Sequence, residues 1–156
     1  MNNNVCAEFV AADPAHTHEL GRRLGRLVQA GDCLALFGPL GAGKTCLVRG
    51  VAEGMGVDGR VSSPSFVIMR AHPGPVWLYH ADAYRLADAE ELVDAGLDEW
   101  LESGVVALEW AERAEDVLPD GALLIEMAYS EGGRRIRITA RDTRGRELLG
   151  LLRETT

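Results

Sequence analysis

A chain of 156 residues, 47% of them hydrophobic, is one domain by size and long enough for a single core, so a single domain over residues 1–156 is expected. No apolar run approaches the ~20 residues of a bilayer-crossing helix, and the opening MNNNVCAEFV has neither the basic start nor the apolar stretch of a secretory signal, which argues against any membrane association. The formal charge of −8 at pH 7 argues against an unaided grip on a nucleic-acid backbone over most of the surface.

The first predicted element is a helix over 17–32, THELGRRLGRLVQAGD, with Leu20, Leu24, Leu27 and Val28 as its apolar stripe, Thr17 as its cap and Gly31 as its stop. CLALF, 33–37, has strand character. There follows GPLGAGKTC, in which Gly38, four residues, Gly43, Lys44 and Thr45 have the spacing of a phosphate-binding loop. Glycines let successive N–H groups turn toward phosphate oxygens, and no side chain blocks the approach. The expected binding set is therefore Gly38, Pro39, Leu40, Gly41, Ala42, Gly43, Lys44, Thr45 and Cys46. Lys44 would reach the β/γ-phosphates and Thr45 would ligate Mg²⁺. Lys44 is the only lysine among sixteen basic residues, the rest being arginine, which singles out this position as one needing an amine. Cys46 stands where a hydroxyl could reach the α-phosphate, and a thiol is a weaker donor. KTCLVRGVAEGM, 44–55, has helical periodicity, so strand, loop and helix come in the order the motif needs, with a helix N-terminus facing the anion.

The segment GVDGRVSSPSF is irregular around Pro64 and leads into a strand-like FVIM. PVWLYHADAYRL, 75–86, carries a strand that stops at Asp82. DAEELVDAGLDEWLES, 88–103, reads as a helix broken near Gly96, and VVALEW, 105–110, as a buried-type strand ending in Glu109. GALLIEMAYS and RRIRITARD form an antiparallel pair around the turn EGG, and TRGRELLGLLRET closes the sequence as a helix. The expected fold is a three-layer α/β domain with a mixed central sheet: a parallel core carries the loop and antiparallel strands are added to it.

Phosphate chemistry also needs a carboxylate at a strand end beside the loop. Glu109 and Asp82 both qualify, as metal ligand or as the group that positions water, and the sequence leaves open which does which. His80 shares a strand face with Asp82 and is either a hydrogen-bonding support or a catalytic group. Trp110 is a site rim or plain packing; Arg85 either stabilises phosphate charge or pairs with nearby acids. Ser63 and Ser65 sense a γ-phosphate or are turn serines around Pro64. A guanine-reading Asn-Lys-x-Asp motif is impossible, since the asparagines are Asn2, Asn3 and Asn4. A self-contained small-molecule kinase is the alternative reading. It is disfavoured because the stretch available for a lid, Asp82 to Asp120, sets thirteen acids against Arg85 and Arg113. From Arg134 to Arg153 seven arginines face only Asp142 and Glu147, so the two blocks are solvated faces or docking surfaces of opposite sign. Cys6, Cys33 and Cys46 form no paired spacing, which argues against a disulfide scaffold or structural zinc and for a reducing, cytoplasmic setting.

Taken together, GPLGAGKT at 38–45, SSPSF at 62–66, HADAYRL at 80–86, GLDEW at 96–100 and EWAE at 109–112 resemble the TsaE (YjeE) family. These are the small bacterial ATPases of the machinery that makes N6-threonylcarbamoyladenosine at position 37 of tRNA. The resemblance implies a P-loop NTPase sheet with added antiparallel strands, and ATP with Mg²⁺ bound through Lys44 and Thr45. It implies that Asp82 and Glu109 serve the metal and catalytic centre, that Trp110 belongs to the same site, and that Ser63, Pro64, Ser65 and Phe66 form a switch-like loop over the nucleotide. It further implies slow hydrolysis alone and work while docked on the two related subunits of the threonylcarbamoyl transferase complex, resetting that complex and meeting tRNA only indirectly. Cys46 for a usual threonine, Ser65 for threonine, and Val67 where a hydroxyl residue is common are the departures.

Overall fold

The central strands are apolar on both faces, and the two buried clusters they feed define three layers. Leu34, Leu36, Val105 and Ala107 point into one cluster, while their neighbours Cys33, Ala35, Val106 and Leu108 point into the other. This is the period-2 alternation of a strand covered on both sides. Burial pushes the Cys33 thiol up to about 12, so it serves as an apolar filler. The computed structural model describes residues 3–57, 61, 62, 64 and 67–154. In chain order the elements are β1 (Val5–Ala11), α1 (Pro14–Gly25), β2 (Cys33–Phe37), α2 (Lys44–Met55), β3 (Met69–His72), β4 (Trp77–Asp82), α3 (Glu90–Ala95), α4 (Leu97–Ser103), β5 (Gly104–Glu109), β6 (Leu123–Ser130), β7 (Gly133–Ala140) and α5 (Thr143–Glu154). Two 3-10 turns, Ala111–Arg113 and Glu115–Val117, lie between β5 and β6.

The strands form one sheet in the order β1-β7-β6-β2-β5-β4-β3. Strands β6, β2, β5 and β4 are mutually parallel; β3 and β7 run antiparallel to their neighbours, and β1 antiparallel to β7. This is the expected mixed α/β architecture with its parallel core. Helices α1, α2 and α5 cover one face, where Leu20, Leu24, Leu47, Val51, Leu148 and Leu152 are buried. Leu92, Leu97 and Trp100 of α3 and α4 cover the other. Among the described residues no helix is long and apolar enough to cross a membrane.

Three local expectations are corrected. Helix α1 begins at Pro14, not at 17, because the Asp13 carboxylate accepts from the His16 N–H at 2.9 Å and proline suits the first helical position. Thr17 is buried inside the helix rather than capping it, and the helix ends at Gly25, short of Gly31. Leu27 and Val28 still pack on the core beyond its end. The strand expected at FVIM starts only at Met69, and β1 was not foreseen.

Helices α1 and α2 meet backbone to backbone. A Cβ on Gly50 would lie 2.1 Å from the His18 carbonyl oxygen, and one on Gly21 would lie 2.3 Å from that of Leu47. Neither neighbour is a flexible side chain, so an added methyl must push the helices apart. Gly50→Ala is expected to cost ~1–3 kcal/mol in urea unfolding. Gly150→Ala in α5, where nothing lies within 4 Å, should be neutral or stabilising by up to ~1 kcal/mol. This tight contact fixes α2 and hence the loop at its N-terminus.

Candidate active site

The loop Gly38–Gly43 connects the end of β2 to the start of α2. At Gly38 a Cβ would fall 2.5 Å from the Met127 carbonyl oxygen, so the chain leaves β2 hard against β6. Gly43 precedes α2 at φ 103, a left-handed conformation that suits glycine, and no side chain caps the helix. An uncapped helix N-terminus presents N–H groups and positive dipole to an anion.

Lys44 is only 5% exposed. Its Nζ donates to the carbonyls of Gly38 and of Pro39, the latter at 3.1 Å, and lies 3.7 Å from the centroid of the Trp110 indole. Burial pushes the amine's pKa down, and the carboxylates of Glu112, Glu109 and Asp82 pull it back up. Trp110 itself is the one non-glycine with positive φ among the described residues, at φ 57 and ψ 43. That backbone turn lays its ring between Lys44 and Tyr84, whose ring is 4.9 Å away, so Trp110 both lines the cleft and packs on the second core cluster.

Glu109 ends β5 and is 4% exposed. The Thr45 hydroxyl lies 2.9 and 3.0 Å from its two carboxylate oxygens, and His80 Nε2 lies 2.5 Å from Oε2. His80 is fully buried on β4, and its Nδ1 has no partner among the described residues. It thus sits behind Glu109, in hydrogen-bond contact with that carboxylate. The parallel register sets Asp82 directly beside Glu109, the two carboxylates ending adjacent strands. Burial raises the Asp82 pKa and Glu109 adds to the rise, against the Tyr84 N–H that donates to it at 2.8 Å and the charges of His80 and Lys44.

Lys44, Thr45, Asp82, Glu109 and Trp110 line a cleft of about 650 Å³, within the range of small-molecule sites, with His80 buried behind it. Leu40, Gly41, Ala42, Pro64 and Arg85 line it too, and Pro64 is buried. The remaining members of the expected switch-like segment, Ser63, Ser65 and Phe66, lie outside the described residues. Cys46 lines the cleft, but its thiol donates to the Pro14 carbonyl at 3.3 Å, and burial pushes its pKa up. Two neighbours lie within motifs of the sequence but carry no role there. Glu112 accepts from the Gly38 N–H at 3.2 Å, three residues beyond Glu109 on the first 3-10 turn, and Tyr84 backs Trp110. Among the described residues no three His, Cys, Asp or Glu side chains form a ready-made metal cage. The oxygens of Thr45, Glu109 and Asp82 suit a hard cation that takes its remaining ligands from phosphate.

A glycine loop running from a buried parallel strand into an uncapped helix, with a strand-end carboxylate on the threonine that follows its lysine, defines a P-loop α/β protein. The chain belongs to the TsaE family: the family described as threonylcarbamoyl adenosine biosynthesis protein TsaE matches residues 11–137. Similar relatives carry the description tRNA threonylcarbamoyladenosine biosynthesis protein TsaE. The one from Streptomyces coelicolor is 47% identical over 119 residues, covering 73% of this chain and 80% of the relative. The one from Treponema pallidum is 37% identical over 131 residues, covering 83% and 97%. The crystal structure of Bacillus subtilis YdiB superimposes with a TM-score of 0.81 at 32% identity, covering 99% of this chain and 97% of that one.

Proposed function

We propose that the protein is a Mg²⁺-dependent ATPase that serves the formation of threonylcarbamoyladenosine in tRNA as an accessory subunit. The observation that carries this reading is the convergence of Lys44, Thr45, Glu109 and Asp82 on one cleft at the phosphate loop. The backbone from Gly38 to Gly43, the N-terminus of α2 and Lys44 bind the triphosphate. Thr45 and Glu109, already in hydrogen-bond contact, are the residues that would hold Mg²⁺. When bound, the ion supplies positive charge that offsets the charge of the phosphates. Asp82, whose pKa is raised, orients the attacking water and receives its proton, a raised carboxylate being the better base near neutral pH. His80 orients Glu109, and Trp110 shields Lys44 from solvent. Pro64 with Ser63, Ser65 and Phe66 would cover the nucleotide.

Among the described residues the cleft is lined by the phosphate loop and its carboxylates, which favours coupling to a partner's conformation over transfer to a metabolite. The partners in this reading are the two related subunits of the threonylcarbamoyl transferase complex, with tRNA met through them and the cytoplasm as the setting. Exposed acids on α4, Asp98, Glu99 and Glu102, are ill suited to tRNA directly. Release of inorganic phosphate should be slow for the isolated chain and rise several-fold when the partner pair is added. No stimulation, or phosphate transfer to an added metabolite with little release in its absence, would point to a small-molecule kinase. Cys46→Thr should tighten ATP and ADP alike by ~0.5–1.5 kcal/mol if a hydroxyl supplies the missing phosphate contact, and calorimetry checks it.

A further inference from the structure

The hairpin of β6 and β7 reaches the phosphate loop through Tyr129 and Arg134, which are not among the residues lining the cleft. Its turn pairs Ser130 with Gly133, leaving Glu131 and Gly132 at the tip, with Gly132 at φ 80, and this register sets Tyr129 opposite Arg134. The Tyr129 hydroxyl donates to the Leu40 carbonyl, and Arg134 Nη2 donates to the Gly41 carbonyl at 3.2 Å. The Arg134 guanidinium lies 4.5 Å from the centroid of the Tyr129 ring, and its Nη1 donates to the Gly133 carbonyl at 3.0 Å, so the two side chains stand as one unit.

Holding these carbonyls outward has a consequence on the other side of each peptide. In a planar trans peptide the C=O and the following N–H point in opposite directions. With the Leu40 carbonyl fixed on Tyr129, the Gly41 N–H points away from Tyr129, and Gly41 lines the cleft. With the Gly41 carbonyl fixed on Arg134, the Ala42 N–H turns to the Pro39 carbonyl, which it meets at 3.2 Å and which also accepts from Lys44. The Leu40 side chain is 82% exposed and anchors nothing, so the loop's apex is held through its backbone. Gly41 sits at φ 80, and a Cβ there would come within 2.8 Å of the Tyr129 hydroxyl.

We propose that Tyr129 and Arg134 are positioning residues of the phosphate site, clamping the loop from outside in the shape that receives an anion. The proposal rests on the nucleotide reading above. Calorimetric titration of the full chain with ADP tests it, together with melting curves and the amide NMR signal of Gly41. Tyr129→Phe and Arg134→Gln should each raise the ADP Kd ~3–10-fold, with melting temperatures within about two degrees of the parent. Their Gly41 amide should move less on ADP addition than in the parent. Arg134→Lys, which keeps the charge but not the planar fork, should recover little. Parent-like affinity in Tyr129→Phe and Arg134→Gln, or full recovery by Arg134→Lys, overturns the clamp while leaving the nucleotide site standing. A parent chain that takes up no ADP overturns the nucleotide reading and the clamp together.

Discussion

Lys44→Ala should abolish measurable ATP hydrolysis and raise the ATP Kd by ~10–100-fold, the loss expected when a charged hydrogen-bond partner of the phosphates is removed. Lys44 is 5% exposed, and its amine is held by two backbone carbonyls of the loop and the Trp110 ring. A buried ammonium is costly unless a counter-charge arrives, and burial already pushes this one toward losing its proton. In the proposed function a triphosphate would supply that counter-charge. Lys44→Arg should fail nearly as badly, because a larger planar fork cannot take the buried seat in which a compact amine donates to the Gly38 and Pro39 carbonyls. Calorimetry with ATP and a phosphate-release assay give the two readouts. Equal affinity in Lys44→Ala and parent would show that the loop is not a working nucleotide site.

The second large effect divides the carboxylates. Glu109→Gln and Asp82→Asn should each lower turnover by ~10²–10⁴ while changing nucleotide affinity far less, since the loop still holds the phosphates. Glu109→Gln should also raise the Mg²⁺ concentration needed for half-maximal rate more than Asp82→Asn does, because Thr45 touches Glu109. The two should part again in stability. Folding raises the Asp82 pKa, chiefly by burial, so its carboxylate form destabilises the folded chain at neutral pH. Asp82→Asn should therefore melt at or above the parent temperature without nucleotide or Mg²⁺. That advantage should shrink as pH falls through the carboxylate range, where the parent's own Asp82 takes up its proton. Full turnover in either variant would reassign that residue to structure, and a lower melting temperature for Asp82→Asn at neutral pH would contradict the burial argument.

The phosphate loop was legible because its glycines and lysine act locally: four spaced residues set the backbone whatever packs around them. The strands ending in Asp82 and Glu109 were legible as apolar runs, and the break at Gly96 as a glycine at φ 127 between α3 and α4. What escaped depends on contacts distant in sequence. Strand β1 is stabilised as a strand by pairing with β7, Glu8 opposite Arg137, which no local pattern announces. The contact of His80 with Glu109 follows from the parallel register of β4 and β5, which sets His80 beside Ala107 and Asp82 beside Glu109. The start of α1 was misplaced for a different reason. Asp13 and Pro14 are a stronger local start signal than Thr17, although the apolar stripe begins only at Leu20. The arginines from Arg134 onward form one charged block in the sequence, yet they divide by task. Arg134 braces the loop, and Arg144 ties α5 to Asp32 at 2.9 Å and to the Leu27 carbonyl at 3.1 Å.

The proposed role as an ATP-driven accessory subunit is tested most directly by reconstitution from one organism. The mixture holds the purified transferase partners, tRNA, threonine, bicarbonate, ATP and the enzyme that makes the activated intermediate, with and without this chain. The quantity to count is modified tRNA per transferase complex. The account predicts repeated turnovers only when the chain is present, and a single round or fewer when it is omitted or replaced by Glu109→Gln. Equal repeated turnover in its absence would contradict the account.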